Sequence, residues 1–346
     1  MELLKVTMES LDRQRRNRSM MIMGILTMLI FIVLVVSMNT GYARLSPLEV
    51  LSTLFGYGSA KQELILFEFR LPRIIISVWI GAGLAVSGCI MQGVSRNALA
   101  DPGILGIHAG AGLAIMLFLT FFPTTAAAPI FVLPVLAFIG AGLTAVLIYV
   151  LAYKRYKGLS PTRLLLTGIA VAAGISAAMI VLTVRLAPDK FQFLATWMAG
   201  SIWGTDWKHV WALLPWLLVL LPYVFMKAQT MNILNLGYEP SLGLGIDVSR
   251  EQLKLLAAGV ALAASCVAVS GGIGFVGLIG PHLARRLVGP RHQFLLPVSA
   301  LTGGLLIVVA DTLGRSLFAP VEIPTGIITA VIGAPYFLYL MARTKV

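Results

Sequence analysis

Arg70 to Gly112 reads RLPRIIISVWIGAGLAVSGCIMQGVSRNALADPGILGIHAGAG. Two arginines flank a proline, and the 22 residues from Ile74 to Ser95 carry no charge. A polar knot, Arg96-Asn97-Ala98-Leu99-Ala100-Asp101-Pro102, then leads straight into another apolar run. About 20 apolar residues cross a bilayer as a helix. The order therefore predicts two membrane segments joined by a short polar loop at the membrane edge. No soluble fold needs that layout, and a shaped loop kept there points to a transport protein.

Composition extends the reading to the whole chain. Of 346 residues 58% are hydrophobic and 12% charged, against roughly 25% charged in soluble proteins. Mean hydropathy is +0.92. Charge-free windows at 74–95, 102–153, 164–184, 255–284, 292–310 and 323–342 are each long enough for at least one span. The net charge of +12 would point to nucleic acid in a soluble protein. Here the basic residues sit between apolar runs, as expected where Lys and Arg set membrane orientation. Cys89 and Cys266 lie inside apolar runs without CxxC spacing, which reads as two buried small hydrophobes rather than a disulfide or metal site.

Residues 1–19 hold Lys5, Arg13, Arg15, Arg16 and Arg18 ahead of the apolar run Met20–Met38. That run exceeds the roughly 7–15 residues of a signal-peptide core and no A-x-A cleavage site follows. It reads as a retained first span with its N-terminus in the cytoplasm. Residues 20–346 then form one all-α membrane domain of ten spans, at about 20–38, 72–93, 103–122, 131–152, 163–184, 208–226, 251–270, 272–289, 293–312 and 324–342. Pro123, Pro129 and Pro134 divide the long window 102–153. Gly271-Gly272 is either a turn between two spans or a kink in one. Ten spans put 18 of the 26 Lys and Arg residues on the inner side. Merging spans seven and eight would move Arg285, Arg286 and Arg291 outward and weaken that bias.

Some connections carry structure of their own. Ser46-Pro47-Leu48-Glu49 predicts a helix start, with Ser46 capping and Pro47 first. Residues 191–203 are apolar but too short to span, and suit a short helix lying in the interface or re-entering the bundle. Trp197, Trp203, Trp207 and Trp211 form a belt there. Ala85-Val86-Ser87-Gly88 recurs as Ala268-Val269-Ser270-Gly271, a faint internal echo of the kind transporter repeats leave.

Catalytic signatures are missing: the sequence has no GxxxxGK[ST], HExxH or GxSxG. Gly271–Gly280 is glycine-rich but follows a membrane helix, so close helix packing explains it better than phosphate binding. His108, His209, His282 and His292 are scattered. Asp101 and Asp311 sit at predicted span ends, whereas ion-coupled transporters keep an acid or histidine at depth. The energy source is therefore expected outside this chain. An ion-coupled secondary transporter and a membrane enzyme using His108 or His282 are the competing classes.

At this point the sequence resembles the permease subunit of ATP-binding-cassette importers of the iron-siderophore, haem and vitamin B12 class (FecCD-type, type II importers). The likeness runs from about Leu45 to Arg343. It is carried by Arg70-Leu71-Pro72-Arg73, Ser87-Gly88 with Gln92, Arg96–Gly106, Ser160–Gly168, Trp197–Asp206, Leu236–Ile246, Gly272–Arg286 and Pro324–Phe337.

The resemblance implies a second permease subunit, two cytoplasmic ATPase subunits that hold ATP and magnesium, and an extracytoplasmic binding protein. It implies no cofactor and no nucleic acid on this chain, which would sit multi-pass in a bacterial cytoplasmic membrane with both termini in the cytoplasm. The transported ligand would be an iron(III)-siderophore complex, with haem or cobalamin as the alternative. Arg70, Arg73 and Arg315 would meet acidic residues of the binding protein, although pairing with Glu63, Glu68 or Glu322 would also account for them. Asn97, Leu99, Ser160, Pro161 and Thr162 would form the cytoplasmic gate, with Ala98 where the family commonly has proline. Leu236, Gly237, Pro240, Ser241, Leu244 and Gly245, in the 227–250 connection, would rest on the ATPase, with Ser241 where the family usually has alanine. Dimer contacts would run along spans five and ten and the 191–203 helix.

Overall fold

The computed structural model describes residues 2–40, 45–122, 131–154, 158–317 and 321–343. Among these residues the regular structure is helical apart from one two-residue antiparallel pair. In order it forms α1 (Glu2–Asn39), α2 (Pro47–Leu54), α3 (Ala60–Glu63), a π-helical stretch Leu64–Arg70 and α4 (Leu71–Ser95). A 3₁₀ turn at Pro102–Leu105 precedes α5 (Ile107–Phe121) and α6 (Val132–Ala152), and β1 (Tyr153–Lys154) pairs with β2 (Gly158–Leu159). There follow α7 (Pro161–Thr183), α8 (Pro188–Met198), α9 (Trp207–Met226), α10 (Ala228–Leu234) and α11 (Tyr238–Gly243). The chain ends with α12 (Val248–Ser270), α13 (Val276–Val288), α14 (His292–Ser316) and α15 (Thr325–Arg343).

Eight helices among the described residues are long and apolar enough to cross a membrane. Of the ten expected spans, the third and eighth come out short, as α5 of 15 residues and α13 of 13. At about 1.5 Å per residue neither reaches the roughly 30 Å of a hydrocarbon core. The ambiguity at Gly271-Gly272 resolves as a break. Helix α12 stops at Ser270, Gly271 turns at φ +67°, and Phe275 takes a left-handed conformation (φ 68°) before α13 begins. The first span is longer than expected, because the basic N-terminal residues continue the helix of α1.

Helix α4 is the axis of the bundle, packed by α12, α13 and α14. Its small residues allow this. A Cβ on Gly88 would collide with the carbonyl of Gly277, and one on Gly81 with the carbonyl of Gly303, so backbones meet where hydrophobicity alone gives helices no reason to associate. Buried polar groups complete the packing. The Ser87 hydroxyl donates to the Gly259 carbonyl at 2.6 Å, and the Gln92 amide reaches the Gly277 and Leu278 carbonyls at 3.3 and 3.4 Å. The expected capping at Ser46 is present as a full box, Glu49 N–H donating to Ser46 Oγ and Ser46 N–H to Glu49 Oε2.

The knot after α4 does not stay at the end of the bundle. Arg96, left-handed at φ 49°, reverses the chain. Residues 97–102 then return alongside α4 and α13, where a Cβ on Gly277 would meet Pro102 Cδ at 2.6 Å, Asp101 Oδ2 at 2.8 Å and the Leu84 carbonyl at 3.2 Å. Leu84 is the middle of α4. Asp101 is therefore at depth, not at a span edge as the sequence pattern predicted, and the absence of a deep acid no longer counts against ion coupling. Asp101 caps the 3₁₀ turn by accepting the Gly103 N–H at 2.8 Å. This return uses the height that α5 lacks, so α5 is a half-depth helix.

Candidate functional site

Three groups of residues stand out, and the fold puts them at different heights. The first is a charge cluster at the end of the bundle where α4 begins. Asp311 of α14, 2% exposed, is its hub. Arg73 reaches Asp311 Oδ1 at 2.9 Å through Nη2, and Glu322 at 2.8 Å. Arg315, one turn along α14, donates its Nε–H to Asp311 Oδ2 at 3.1 Å, and Thr325 donates its hydroxyl to Oδ1 at 3.2 Å. Arg315 also binds the Ser37 hydroxyl, and Arg70 the Met38 carbonyl, which ties α1 to the cluster.

Of the three arginines expected at a docking surface, Arg70 and Arg315 are each 6% exposed and engaged within the chain. Arg73 borders open space. With Glu322, Thr196, Ser201 and Trp203 it lines a cleft of about 530 Å³. Of the acidic partners considered from the sequence, Glu322 makes the contact. The main contact goes instead to Asp311, whose four-residue spacing from Arg315 puts both on one helix face.

The second group is the knot and the start of α7, which are linked through the 3₁₀ turn and α4, both packed on α7. Asn97 Oδ1 accepts the Leu99 N–H at 2.9 Å, a local turn that fixes the loop without proline at Ala98. Arg96 donates to the Leu234 carbonyl of α10 at 2.9 Å, so the knot is tied to the 227–250 connection. Ser160 precedes α7, with Pro161 first in the helix and Thr162 exposed. The Ser160 side chain makes no capping bond. Capping is thus not what places serine there. Behind the knot, the His108 Nε2 is buried with no hydrogen-bond partner among the described residues.

The third group is the 227–250 connection, folded as α10, a turn and α11. Gly237 (φ +127°) and Gly245 (φ +80°) bracket α11 in conformations that side chains resist. Pro240 lies in its first turn. Next to the glycines, Leu236 and Leu244 are 62% and 60% exposed, with Tyr238 and Leu242 beside them. Ser241 faces the other way. It is fully buried, and its hydroxyl donates toward the Ile233 carbonyl at 2.8 Å and the Gly237 carbonyl, fastening α11 to α10. Lys227 and Lys254 both pair with Glu251, at 2.7 and 3.0 Å, and close the base of the connection.

Ser241 was expected to sit at a contact surface, and its burial makes a different prediction. Ser241→Ala should cost about 1 kcal/mol of stability through the lost hydrogen bond while leaving transport activity intact. Thermal unfolding and uptake measured side by side check this.

Chemistry is sparse elsewhere. Among the described residues no three His, Cys, Asp or Glu side chains gather as metal ligands would. The ring of His282 contacts the Tyr336 hydroxyl at 2.8 Å. The arrangement offers a charged rim at one end, a polar loop at depth and an apolar platform at the other end, and among the described residues no nucleophile–base pair lies near any of them.

Known proteins resemble this chain along almost its whole length. The model of the FecCD transport family matches residues 28–343. The iron(3+)-hydroxamate import system permease protein FhuG of Bacillus subtilis is 49% identical over 96% of this chain and all of its own length. The Fe(3+)-citrate import system permease protein YfmE of the same organism is 44% identical, covering 95% of this chain and 96% of its own. A solved metal-chelate type ABC transporter in an inward-facing conformation superposes with a TM-score of 0.82 at 30% identity, over 93% of this chain and 99% of that one.

Proposed function

The chain belongs to the FecCD transport family, a family of multi-pass transport permeases, and from that membership we propose that it is the translocation subunit of an ATP-driven importer for an iron(III)-hydroxamate siderophore. The observation that carries the substrate class is the 49% identity, end to end, with an iron(3+)-hydroxamate permease. The 44% identity with a ferric citrate permease supports ferric citrate as the second reading.

In this reading the α10–α11 end faces the cytoplasm. The platform of Leu236, Tyr238, Leu242 and Leu244 rests on a separate ATPase subunit, since exposed apolar surface of that kind is the mark of a protein contact. Gly237 and Gly245 let α11 sit close, and Arg96 passes its motion to the knot. Asn97, Leu99, Ser160, Pro161 and Thr162 close the inner end of the pathway. Helix α7, with its exposed small residues Ala173, Gly174 and Ala177, faces a second permease subunit, with α8 and α15 beside it. A binding protein docks over the cleft edged by Arg73 and Glu322, while Arg70 and Arg315 hold that edge in place. Charge complementarity there sets register and speeds encounter. Access alternates as the platforms move.

The test is uptake of ⁵⁵Fe as a ferric hydroxamate, a ferric catecholate, ferric citrate and haem, with labelled cobalamin, in cells deleted for the gene and in cells complemented with it. Loss confined to the hydroxamate supports the proposal. Loss confined to citrate replaces the substrate, and unchanged uptake of all five removes the importer reading.

A further inference from the structure

The N-terminal part of α1 runs beside the turn between α13 and α14, and a pocket of about 390 Å³ opens between them. Arg15, Arg18, Arg285, Arg286 and Arg291 line it, and among the described residues that line it none is acidic. Arg285 gives one donor to Gln92 Oε1 at 3.4 Å. Four of the five arginines are exposed to solvent. Guanidinium groups stay charged at any accessible pH, so Arg15, Arg18, Arg285 and Arg286 around one pocket favour an anion among them.

The rest of the wall is apolar: Leu287, Val288 and Phe294. Above Arg18 and on its side of α1 lie Ile25, Leu29 and Ile32, 50%, 41% and 44% exposed, at helical spacing from it. The Ser19 hydroxyl, bonded back to the Arg15 carbonyl at 2.9 Å, is buried at the junction. A cationic pocket thus opens directly onto an unpaired apolar helix face of membrane-spanning length. A soluble anion would use the first feature and leave the second bare. A cytoplasmic protein would cover the pocket but not reach the face. An amphiphile with a phosphate and acyl chains fits both.

We propose that this pocket binds the headgroup of an anionic phospholipid of the cytoplasmic leaflet, with the acyl chains lying on the exposed face of α1. Basic pockets between membrane helices on the cytoplasmic side recognise such headgroups. The bound lipid clamps α1 to the α13–α14 turn. The leaflet assignment rests on the orientation given above; the headgroup chemistry does not.

The experiment uses the intact transporter complex in mild detergent. Phosphatidylglycerol, phosphatidylcholine and glycerol 1-phosphate are added separately. Lipid retention is read by native mass spectrometry and stability by the melting midpoint. Phosphatidylglycerol is expected to be retained and to raise the midpoint, with phosphatidylcholine and glycerol 1-phosphate ineffective. In the triple variant Arg15→Gln, Arg18→Gln, Arg286→Gln, retention should fall about fivefold for each arginine removed. Arg250→Gln, which removes a charge from the same end outside the pocket, should retain the lipid.

Equal stabilisation by phosphatidylcholine overturns the site, and the wild-type complex alone gives that result. Stabilisation by glycerol 1-phosphate overturns the lipid in favour of free phosphate. A triple variant that keeps its lipid but sheds the ATPase overturns it in favour of a protein contact. Labelling of Gln14→Cys with an impermeant thiol reagent reports the side independently: labelling from outside whole cells contradicts the leaflet, and protection supports it.

Discussion

Asp311→Asn is expected to remove about 3–5 kcal/mol of stability, the loss found when one partner of a buried ion pair is deleted. Asp311 accepts from Arg73, Arg315 and Thr325, and both arginines are largely shielded from water. Without the carboxylate Arg73 keeps Glu322 and Arg315 keeps the Ser37 hydroxyl, which leaves one cation buried without compensation. The cluster also joins α1, α4, α14 and the segment before α15, so its loss loosens four elements together. The loss should appear as a lower melting midpoint in size-exclusion profiles of detergent-solubilised protein, with reduced amounts in membranes. Adding Arg315→Met to Asp311→Asn removes the stranded charge and should restore part of the stability. A double variant no better than the single would mean that Arg315 does not depend on Asp311.

Leu236→Glu with Leu244→Glu is expected to abolish transport while leaving the fold intact. Both side chains are mostly in solvent, so charging them costs the isolated subunit little. At a protein contact the balance reverses. Central apolar anchors typically lose 2 kcal/mol or more each when removed, about thirtyfold in affinity, and a buried unpaired carboxylate adds to that. The two together should reduce ATPase capture by more than a hundredfold. Co-purification of the ATPase subunits, read beside the melting midpoint of the permease, separates a lost contact from a lost fold. Retained ATPase with normal uptake would move the coupling element elsewhere.

The residues that decide the fold were largely visible in the sequence. Charge-free windows marked the spans, and the positions of Arg285, Arg286 and Arg291 separated α12 from α13 correctly. The capping box at Ser46 followed from residue types three apart. Depth was not visible. Asp101 reads as a span-end residue because nothing in the order Asn97 to Pro102 says which way the chain goes after Arg96. It returns into the bundle because Gly277 has no side chain, and that vacancy exists only once α13 lies on α4. Pairing was half visible: the arginines announced themselves, but Glu63, Glu68 and Glu322 were equally good partners on paper, and Asp311 read as a span end rather than as a partner. The direction of Ser241 was not legible because α11 is six residues long, too short to show a periodic face.

The most direct test is ATP-dependent accumulation in proteoliposomes that hold this chain with its partner permease and ATPase subunits, loaded binding protein outside and ATP inside. The account predicts that a ⁵⁵Fe-hydroxamate complex accumulates only with hydrolysable ATP and that a protonophore has no effect. Accumulation that proceeds without ATPase subunits and collapses with the proton gradient would contradict it, and would make Asp101 and His108 the residues to examine first.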